Sequence, residues 1–353
     1  MEKRVLHVLN SCAYSGAENV VITVIEKLKD DFTFAYASKD GPIRDILEEK
    51  KIPFFPLKNR GIVDIGRVVR CFKPDILHAH DLTASILCGG VCIGTPVLSH
   101  LHSNAPWMRT FNPVSVAYYL SSIRYRKILT VSNSIMREYV FGTNLKKKSA
   151  IIYNPIDIKS IREKAECVKQ DNIPSYDIAF MGSFLPCKNI PRFLKIIAAL
   201  KKKIPHIQAV IIGTGDYREQ YYGMIKEAEL TNNITCTGFL QNPYKILALS
   251  KVLCVTSLWE GFGLAAAEAM VLGVPVVASA VGGLAELVDD SCGMLCETDE
   301  AFEGEILRLL SEKSYREQKA IGARNKAEEI FNIKAYMQTL KEIYKNIFYD
   351  TRI

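Results

Sequence analysis

Two carboxylates and two glycines are combined in the segment from Glu260 to Glu268, which follows a short apolar stretch and leads into a predicted helix. Gly261 and Gly263 allow a close backbone approach and unusual dihedral angles. The backbone N–H groups at a helix N-terminus form an anion site. A carboxylate one to two turns into the helix, such as Glu268, can accept hydrogen bonds from vicinal hydroxyls. The segment therefore indicates binding of a sugar and a phosphate.

A second group of candidate phosphate ligands follows the predicted strand Asp177–Gly182. Gly182 and Ser183 end that strand, and Lys188 follows shortly after. A lysine there can bind a phosphate, although a solvated lysine at a helix start is the alternative. Gly213 lies in a similar turn after the next predicted strand.

The segment from Gly238 to Gln241 is a further candidate ligand contact at a strand end. Gly238, Phe239 and Gln241 follow another predicted strand. Because parallel α/β sheets bind ligands beyond the carboxyl ends of their strands, a ligand is expected here. The family resemblance given below implies that this ligand is a nucleotide base, which stacks or hydrogen-bonds near Gly238–Gln241. Purely structural turns explain the glycines of this segment, and Gly213, equally well.

Four of the six histidines cluster in the first half of the chain, at the ends of two predicted strands, as His78, His80, His100 and His102. Alternate residues of a strand share a face, so zinc binding must be considered. No closing carboxylate or cysteine pattern is evident, and the expectation is that the chain holds no metal. His7 and His206 are expected to be neutral core histidines.

The segment from Pro106 to Lys127 is aromatic and basic, and it contains Trp107. Residues 1–170 carry 25 Lys and Arg against 16 Asp and Glu, a net charge of +9, whereas residues 171–353 carry −2. The first half is therefore expected to meet an anionic partner, either a phosphate-bearing substrate, a membrane surface or a nucleic acid. An ordinary core helix with solvated cations is the alternative for the segment itself.

These residues need strands and helices to position them, and the pattern predicts two similar α/β domains. Apolar strands alternate with amphipathic helices in both halves, which is typical of a parallel sheet covered on both faces. A polar stretch around residues 169–174 marks the boundary, so we predict one domain over 1–170 and a second over 171–353. The terminal helices are expected to pack back on the first domain.

Composition excludes several classes of protein. With 353 residues, 48% hydrophobic and 24% charged, the chain is neither disordered nor a disulfide miniprotein. Its apolar runs are too short for a membrane span, and no signal peptide is evident. The ten scattered cysteines are expected to be free thiols in a reducing cytosol.

The segment from Glu260 onward, including the run AEAMVLGVPVVASAVGGLAE, resembles the retaining glycosyltransferases of family 4, which have the GT-B fold of two Rossmann-like domains facing across a cleft. The resemblance extends over almost the whole second half. It implies that Glu268 holds the ribose of a nucleotide sugar and that Glu260 lies near the transferred sugar. The family's glycine-rich amides, here Gly261, Phe262, Gly263 and Leu264, face sugar hydroxyls and the diphosphate.

The resemblance also assigns roles to residues in segments where the chain departs from the family pattern at single positions. Lys188 fits a family cation on the diphosphate, but Ser183 stands where the family has Arg. Gly16 matches the second glycine of the family's N-terminal loop, and Ser15 replaces the first. His102 matches a histidine that approaches the transferred sugar, while His80, His100 and Trp107 are candidates for the acceptor side. His102, Glu260 and Lys188 are thus the implied catalytic residues.

The resemblance implies a retaining, metal-independent hexosyl- or N-acetylhexosaminyltransferase without a cofactor. The donor is expected to be a nucleotide diphosphate sugar, with UDP most frequent in the family. The acceptor is expected to be a glycan or a polyprenyl-diphosphate-linked sugar of lipopolysaccharide, capsule or exopolysaccharide synthesis. The expected location is the cytoplasm, with peripheral contact to an anionic membrane and no nucleic-acid partner. A UDP-sugar epimerase of the same fold and a non-catalytic sugar-nucleotide-binding subunit are the alternatives.

Overall fold

The computed structural model describes residues 3–58, 61–91, 94–167 and 174–350, and the side chain of Asp350 is not described. Within these residues the chain divides into two compact units. Unit 1 comprises residues 1–155 and 333–353, and unit 2 comprises residues 156–332. Each unit is built around a parallel sheet, so the predicted fold class, two Rossmann-like α/β domains with C-terminal helices, is confirmed.

Unit 1 contains a seven-stranded parallel sheet in its described residues, in the order β3-β2-β1-β4-β5-β6-β7. The strands are β1 (Arg4–Val8), β2 (Thr33–Lys39), β3 (Phe54–Leu57), β4 (Ile76–His80), β5 (Val97–Leu101), β6 (Tyr125–Thr130) and β7 (Ser149–Ile151). The central strands are buried along their length because helices cover both faces. The helices are α1 (Gly16–Leu28), α2 (Ile43–Glu49), α3 (Ile62–Phe72), α4 (Asp81–Val91), α5 (Pro113–Ser121), α6 (Asn133–Glu138) and α7 (Gly142–Leu145).

Unit 2 repeats the pattern with six parallel strands in the order β10-β9-β8-β11-β12-β13. They are β8 (Tyr176–Met181), β9 (Ala209–Ile212), β10 (Ile234–Gly238), β11 (Ser250–Val255), β12 (Val276–Ser279) and β13 (Gly293–Cys296). The helices are α8 (Ile158–Glu166), α9 (Ile190–Lys203), α10 (Arg218–Glu227), α11 (Tyr244–Ala248), α12 (Leu264–Leu272), α13 (Leu284–Leu287), α14 (Asp299–Ser311) and α15 (Lys313–Ile330). Sequence analysis did not predict β13, a four-residue edge strand.

The boundary between the units lies at Pro155, not near residue 170 as the polar stretch suggested. Helix α8 belongs to unit 2, since its apolar residues Ile161 and Ala165 are buried and its Arg162 forms a 2.6 Å ion pair with Glu328. The predicted linker at 169–174 lies almost entirely outside the described residues.

The chain returns to unit 1 through α16 (Ile333–Asp350), whereas α14 and α15 remain in unit 2. One face of α16 completes the core of unit 1 with Leu340, Tyr344 and Phe348. Lys341 pairs with Asp31 after α1. None of the helices in the described residues is both long and apolar enough to span a membrane.

Candidate active site

Apart from Gly16, the candidate donor-binding residues lie at the carboxyl edge of the sheet in unit 2. They follow four strands that are adjacent in the order β10-β9-β8-β11. Parallel strands end at one edge, so residues far apart in sequence become neighbours there. Sequence analysis predicted this grouping from the alternation of strands and helices.

A ladder of backbone hydrogen bonds joins the three glycine turns. The Gly182 N–H donates to Ile212 O at 3.0 Å, and the Gly213 N–H donates to Gly238 O at 2.9 Å. Gly213 has φ +142°, and a Cβ there would lie 2.0 Å from the Gly182 carbonyl oxygen. Gly213 is therefore required by the close approach of two strand ends, whatever ligand the edge binds.

Lys188 and Glu260 form an ion pair, with 2.6 Å between Nζ and Oε2. The Ser257 hydroxyl donates to the same carboxylate oxygen at 3.1 Å, and the Thr256 hydroxyl donates to the Lys188 carbonyl at 3.0 Å. Burial opposes the charge of Lys188, but the Glu260 carboxylate outweighs it, so the pKa of Lys188 is raised. The pair is thus a fixed cation beside a fixed carboxylate.

The glycine-rich turn before α12 is held by a neighbouring loop. The Gly283 N–H donates to Glu260 O at 2.9 Å. Gly263 has φ +102° and lies directly before Leu264, the first residue of α12. Gly261 and Phe262 are buried in the turn, while Leu264 is half-buried. The chain therefore enters α12 through Gly263, whose positive φ is a conformation that favours glycine.

Glu268 lies on α12 with its Oε1 accepting a hydrogen bond from the Tyr244 hydroxyl at 3.1 Å. Burial raises the pKa of Glu268 to about 7, while the bond from Tyr244 and the charge of Lys164 act in the opposite direction. Tyr244 was not among the residues predicted from the sequence, because it lies on α11, 24 residues before its partner. The predicted ribose carboxylate is therefore a poorly solvated group that titrates near neutrality.

Ser183, which stands where the family has Arg, is half-buried in the turn after β8. Arg192, the possible substitute in the same segment, pairs with Asp299 at 2.6 Å and donates to Glu297 O at 2.7 Å. Its guanidinium is thus engaged at the start of α14. Among the described residues, the cation that contacts Glu260 at this edge is Lys188.

The candidate base contacts differ in exposure. Phe239 is 54% exposed and Gln241 is also exposed, both immediately after β10. Gly238 has φ +72°, and a Cβ there would meet nothing within 4 Å. An exposed ring and amide at the strand end leave room for a ligand against this edge.

In unit 1 the predicted histidines come together on one face of β4 and β5. His80 and His100 are buried, and His102 is half-buried. His80 Nδ1 and His102 Nε2 are 2.9 Å apart. Burial lowers the pKa of all three, that of His102 to about 4, so the rings are neutral at physiological pH. Of the two expected core histidines, His7 is buried, but His206 is exposed, so that expectation was wrong for His206.

The other two candidates of unit 1, Gly16 and Trp107, lie far apart in the sequence. Gly16 begins α1, and the preceding Ser15 N–H donates to Glu18 Oε2 at 3.1 Å, which caps the helix. Trp107 is 51% exposed in a 3₁₀ turn over Pro106–Arg109. The Gly16 amide is thus at a helix start, and Trp107 is on the surface.

Two family profiles match consecutive parts of the chain. The one described as "Glycosyltransferase Family 4" matches residues 2–160, and the one described as "Glycosyl transferases group 1" matches residues 162–326. The profiles meet within a few residues of the boundary between the two units.

Curated relatives match the chain over different lengths. A Campylobacter jejuni N-acetylgalactosamine-N,N'-diacetylbacillosaminyl-diphospho-undecaprenol 4-alpha-N-acetylgalactosaminyltransferase is 28% identical over 256 residues, 70% of this chain and 67% of the relative. An Escherichia coli UDP-Gal:alpha-D-GlcNAc-diphosphoundecaprenol alpha-1,3-galactosyltransferase is 24% identical over 378 residues, 97% of this chain and 96% of the relative.

Solved structures show the same fold. Anabaena Alr3699/HepE in complex with UDP and glucose has a TM-score of 0.84 at 19% identity, covering 98% of this chain and 100% of its own. A sucrose-phosphate synthase from Thermosynechococcus elongatus has a TM-score of 0.79 at 17% identity, covering 99% and 100%. Both family profiles match, and each unit contains a parallel sheet. The chain therefore belongs to glycosyltransferase family 4 and has the GT-B fold.

Proposed function

We propose that the protein transfers a sugar from a nucleotide diphosphate sugar, a UDP-sugar, to a hydroxyl of a lipid-linked or glycan acceptor. The observation that supports this most directly is the edge of unit 2, where Lys188, Glu260 and Glu268 lie beside the amides of α12. A cation and helix amides suit a diphosphate, and carboxylates suit sugar and ribose hydroxyls. UDP is proposed because UDP stands in the names of the Escherichia coli relative and the Anabaena structure.

Each group has a defined task in this proposal. The Lys188 ammonium and the amides of Gly261–Leu264 stabilise the negative charge that grows on the leaving diphosphate. Glu260, which already holds Lys188, turns its second oxygen to a hydroxyl of the transferred sugar. Glu268 accepts hydrogen bonds from the ribose diol, and Phe239 and Gln241 contact the base. Gly16 and Ser183 offer further neutral donors.

The transfer proceeds with retention at the anomeric carbon. The bond between that carbon and the leaving phosphate oxygen breaks through an oxocarbenium-like state, and the acceptor oxygen bonds to the same face. The acceptor proton passes to the leaving phosphate oxygen, so the step needs no covalent enzyme nucleophile. Lys188 and the amides supply the charge neutralisation, and we propose that neither a metal at the diphosphate nor a cofactor takes part.

The acceptor side is assigned to unit 1. Both relatives described above carry a diphospho-undecaprenol acceptor in their names. The surface around α5 fits such a lipid-linked acceptor at an anionic membrane, since Trp107, Phe111 and Ile123 are exposed at 51%, 76% and 77% beside the exposed Arg124. His80, His100 and His102 stay predictions of the family resemblance on this side.

The first test is calorimetric titration of the purified protein with UDP, GDP and ADP. We expect UDP to bind most tightly and Glu268→Ala to lose that binding. Glu227→Ala, an exposed carboxylate at the end of α10, is the matched control and should bind as the parent does. Failure of all three nucleotides to bind would overturn the proposal.

The second test identifies the reaction. A panel of sugars on the preferred nucleotide is offered with a diphospho-polyprenol-linked acceptor, and the anomeric configuration of the product is read by NMR. A glycosylated acceptor with retained configuration supports the proposal. Nucleotide binding without any product would favour a non-catalytic subunit, and conversion of the sugar nucleotide without acceptor would favour an epimerase.

A further inference from the structure

Asp81 joins β4 to α4 in a backbone conformation that few side chains adopt. It has φ +63° and begins α4 immediately after β4 ends. Among the described residues, four other non-glycine residues have positive φ, and three of these lie within two residues after a helix end, where a left-handed residue is ordinary: Lys51, Lys73 and Glu229. Asp81 instead enters a helix directly from a buried strand, so its conformation needs another reason.

The Asp81 carboxylate holds the backbone of the residues that follow β5. The His102 N–H donates to Asp81 Oδ1 at 2.8 Å, and the Ser103 N–H donates to the same carboxylate. Two successive N–H groups that converge on one anion form a concave turn of the backbone, since those of an extended strand point in opposite directions. Asp81 therefore fixes the point at which the chain leaves the sheet.

The ladder of the sheet ends before these two residues. The register of β5 with β4 ends at the pair His80 and His100, and its register with β6 ends at the pair Leu101 and Thr130. His102 is the next residue along the chain. The side chain of Asp81 thus accepts hydrogen bonds from the backbone of β5 where β4 no longer does.

The residue before Asp81 holds the ring of the same histidine. His80 Nδ1 and His102 Nε2 are 2.9 Å apart, and the Asn154 side chain also hydrogen-bonds the His102 ring. His80 is buried and His102 is half-buried. Because His80 and Asp81 are consecutive, one short segment at the end of β4 fixes both the ring and the backbone of His102.

The carboxylate of Asp81 is held at a cost to stability. Burial raises its pKa to about 6, although the two N–H donors act in the opposite direction. The Glu18 carboxylate of α1 repels it, and no Lys or Arg in the described part of the chain forms an ion pair with either. Since the folded pKa of Asp81 exceeds the usual 3.8, the cost appears as the pH rises above 3.8 and is complete above about 6.

We propose that Asp81 is a positioning residue, which holds His102 at the carboxyl edge of unit 1 for contact with the transferred sugar. Strained backbone and unpaired buried charge are retained where they serve a site. The inference rests on the proposed function, because the contact of His102 with the sugar is itself a prediction of the family resemblance. Asp81 acts only through the backbone of His102 and Ser103.

The test compares two replacements that both tolerate a positive φ. Asp81→Asn keeps a side-chain oxygen as an acceptor, whereas Asp81→Gly keeps only the backbone conformation. We expect kcat for sugar transfer to fall by ~10-fold or more in Asp81→Gly, because a misplacement of ~1 Å can cost ~10²-fold in rate. Asp81→Asn should recover most of that loss. UDP binding should stay near the parent value in both, since the donor residues other than Gly16 belong to unit 2.

Asp75→Gly is the matched control. Asp75 is exposed just before β4, and its Oδ2 accepts the Arg4 N–H of β1 at 2.8 Å. This is the same kind of contact between a carboxylate and the backbone of a neighbouring strand, but at the opposite end of β4 from His102. The variant should transfer sugar with the kcat of the parent.

Hydrogen exchange measures the geometry without any substrate. Mass spectrometry of a peptide that contains His102 and Ser103 should show faster exchange of their amides in Asp81→Gly than in the parent, and nearly parental exchange in Asp81→Asn. A parent protein that transfers no sugar would refute the proposed function and leave this measurement valid. The two failures are therefore distinguishable.

Three results would overturn the inference. The first is equal exchange of the His102 and Ser103 amides in Asp81→Gly and the parent. The second is an unchanged kcat of Asp81→Gly in a protein that transfers sugar. The third applies even if Asp81→Gly does not fold: Asp81→Asn removes the charge and should raise the thermal midpoint at pH 8, so a lower midpoint would make Asp81 a residue kept for stability.

Discussion

Glu260 and Glu268, eight residues apart in the sequence, have different surroundings in unit 2. Glu260 is neutralised by Lys188 at 2.6 Å and by the Ser257 hydroxyl. Glu268 accepts a hydrogen bond from the Tyr244 hydroxyl, and burial raises the pKa of Glu268 to about 7. At the scale of the residue, Glu260 is therefore held by an ion pair and a hydroxyl, whereas Glu268 is a buried carboxylate that gains from a ligand's hydroxyls.

Nucleotide affinity should depend on pH through Glu268. Only the ionised carboxylate accepts two hydrogen bonds from a ribose diol, so affinity should fall as the pH drops through about 7. Tyr244→Phe removes a hydrogen bond that lowers the pKa of Glu268, so the loss of affinity should begin at a higher pH. Calorimetry at several pH values measures both, and identical profiles for the two proteins would contradict the assignment.

The same carboxylate should destabilise the folded state at high pH. Its folded pKa lies above the unfolded value, so the cost appears as the pH rises above the unfolded pKa of 4.5 and is complete above about 7. Glu268→Gln should therefore raise the free energy of unfolding by ~1–2 kcal/mol at pH 8 and by less at pH 5. Urea denaturation of parent and variant at the two pH values is the measurement, and equal gains at both would refute the pKa argument.

Ser183→Arg should tighten binding of the diphosphate because it adds a cation to this edge. Among the described residues, Lys188 is the cation that contacts Glu260 there, and Arg192 pairs with Asp299 instead. A charge-assisted hydrogen bond contributes ~1.5–3 kcal/mol, so a gain of ~10-fold in UDP affinity is expected after side-chain ordering. Ser183→Gln is the control of similar reach without charge. If both variants bind UDP equally, the missing charge is irrelevant.

At the scale of the element, the turns after β8, β9 and β10 are built by glycines with different constraints. Gly213 faces the Gly182 carbonyl oxygen, 2.0 Å from where a Cβ would lie, whereas the space at Gly238 is open. Both have positive φ. The close approach of β8 and β9 therefore depends on Gly213, and the turn after β10 depends only on its backbone conformation.

Gly213→Ala should destabilise unit 2 much more than Gly238→Ala. The second substitution adds only the strain of a positive φ, ~1–2 kcal/mol, while the first adds a backbone clash and should exceed ~3 kcal/mol or prevent folding. Thermal unfolding with and without UDP measures the difference. Equal destabilisation would show that the turn after β9 relaxes freely.

At the scale of the whole molecule, unit 1 is completed by a helix from the far end of the chain. Leu340 of α16 is fully buried in the core of unit 1, and the 177 residues of unit 2 intervene between the parts. Folding of unit 1 thus includes a contact of very high sequence separation, which slows folding because loop closure costs entropy.

Leu340→Ala should lower the free energy of unfolding of unit 1 by ~2–5 kcal/mol. Each unit has one tryptophan, Trp107 in unit 1 and Trp259 in unit 2, so Trp259→Phe leaves fluorescence that reports unit 1 alone. Urea denaturation in that background measures the effect. Ile321→Ala, an exposed site on α15, should change stability by less than ~0.5 kcal/mol. An unchanged unit 1 would mean that α16 contributes little to its core.

The sequence by itself determined the local elements of both units and the edge at which the donor candidates meet. The period of apolar residues and the turn glycines act over a few positions. Twelve of the thirteen strands in the described residues, the turn from Glu260 to Gly263 and the helix carrying Glu268 could therefore be predicted. The family resemblance added the roles of these residues, since those depend on a ligand.

Only the tertiary structure decided which distant residues became partners. Strand order brought β1 beside β4 and so placed His7 against His80. The return of α16 set Tyr344 against His78, and the packing of α11 on α12 set Tyr244 against Glu268. These contacts depend on how elements pack rather than on local periodicity. The order of the strands and the packing of the helices are determined by the free energy of the whole unit.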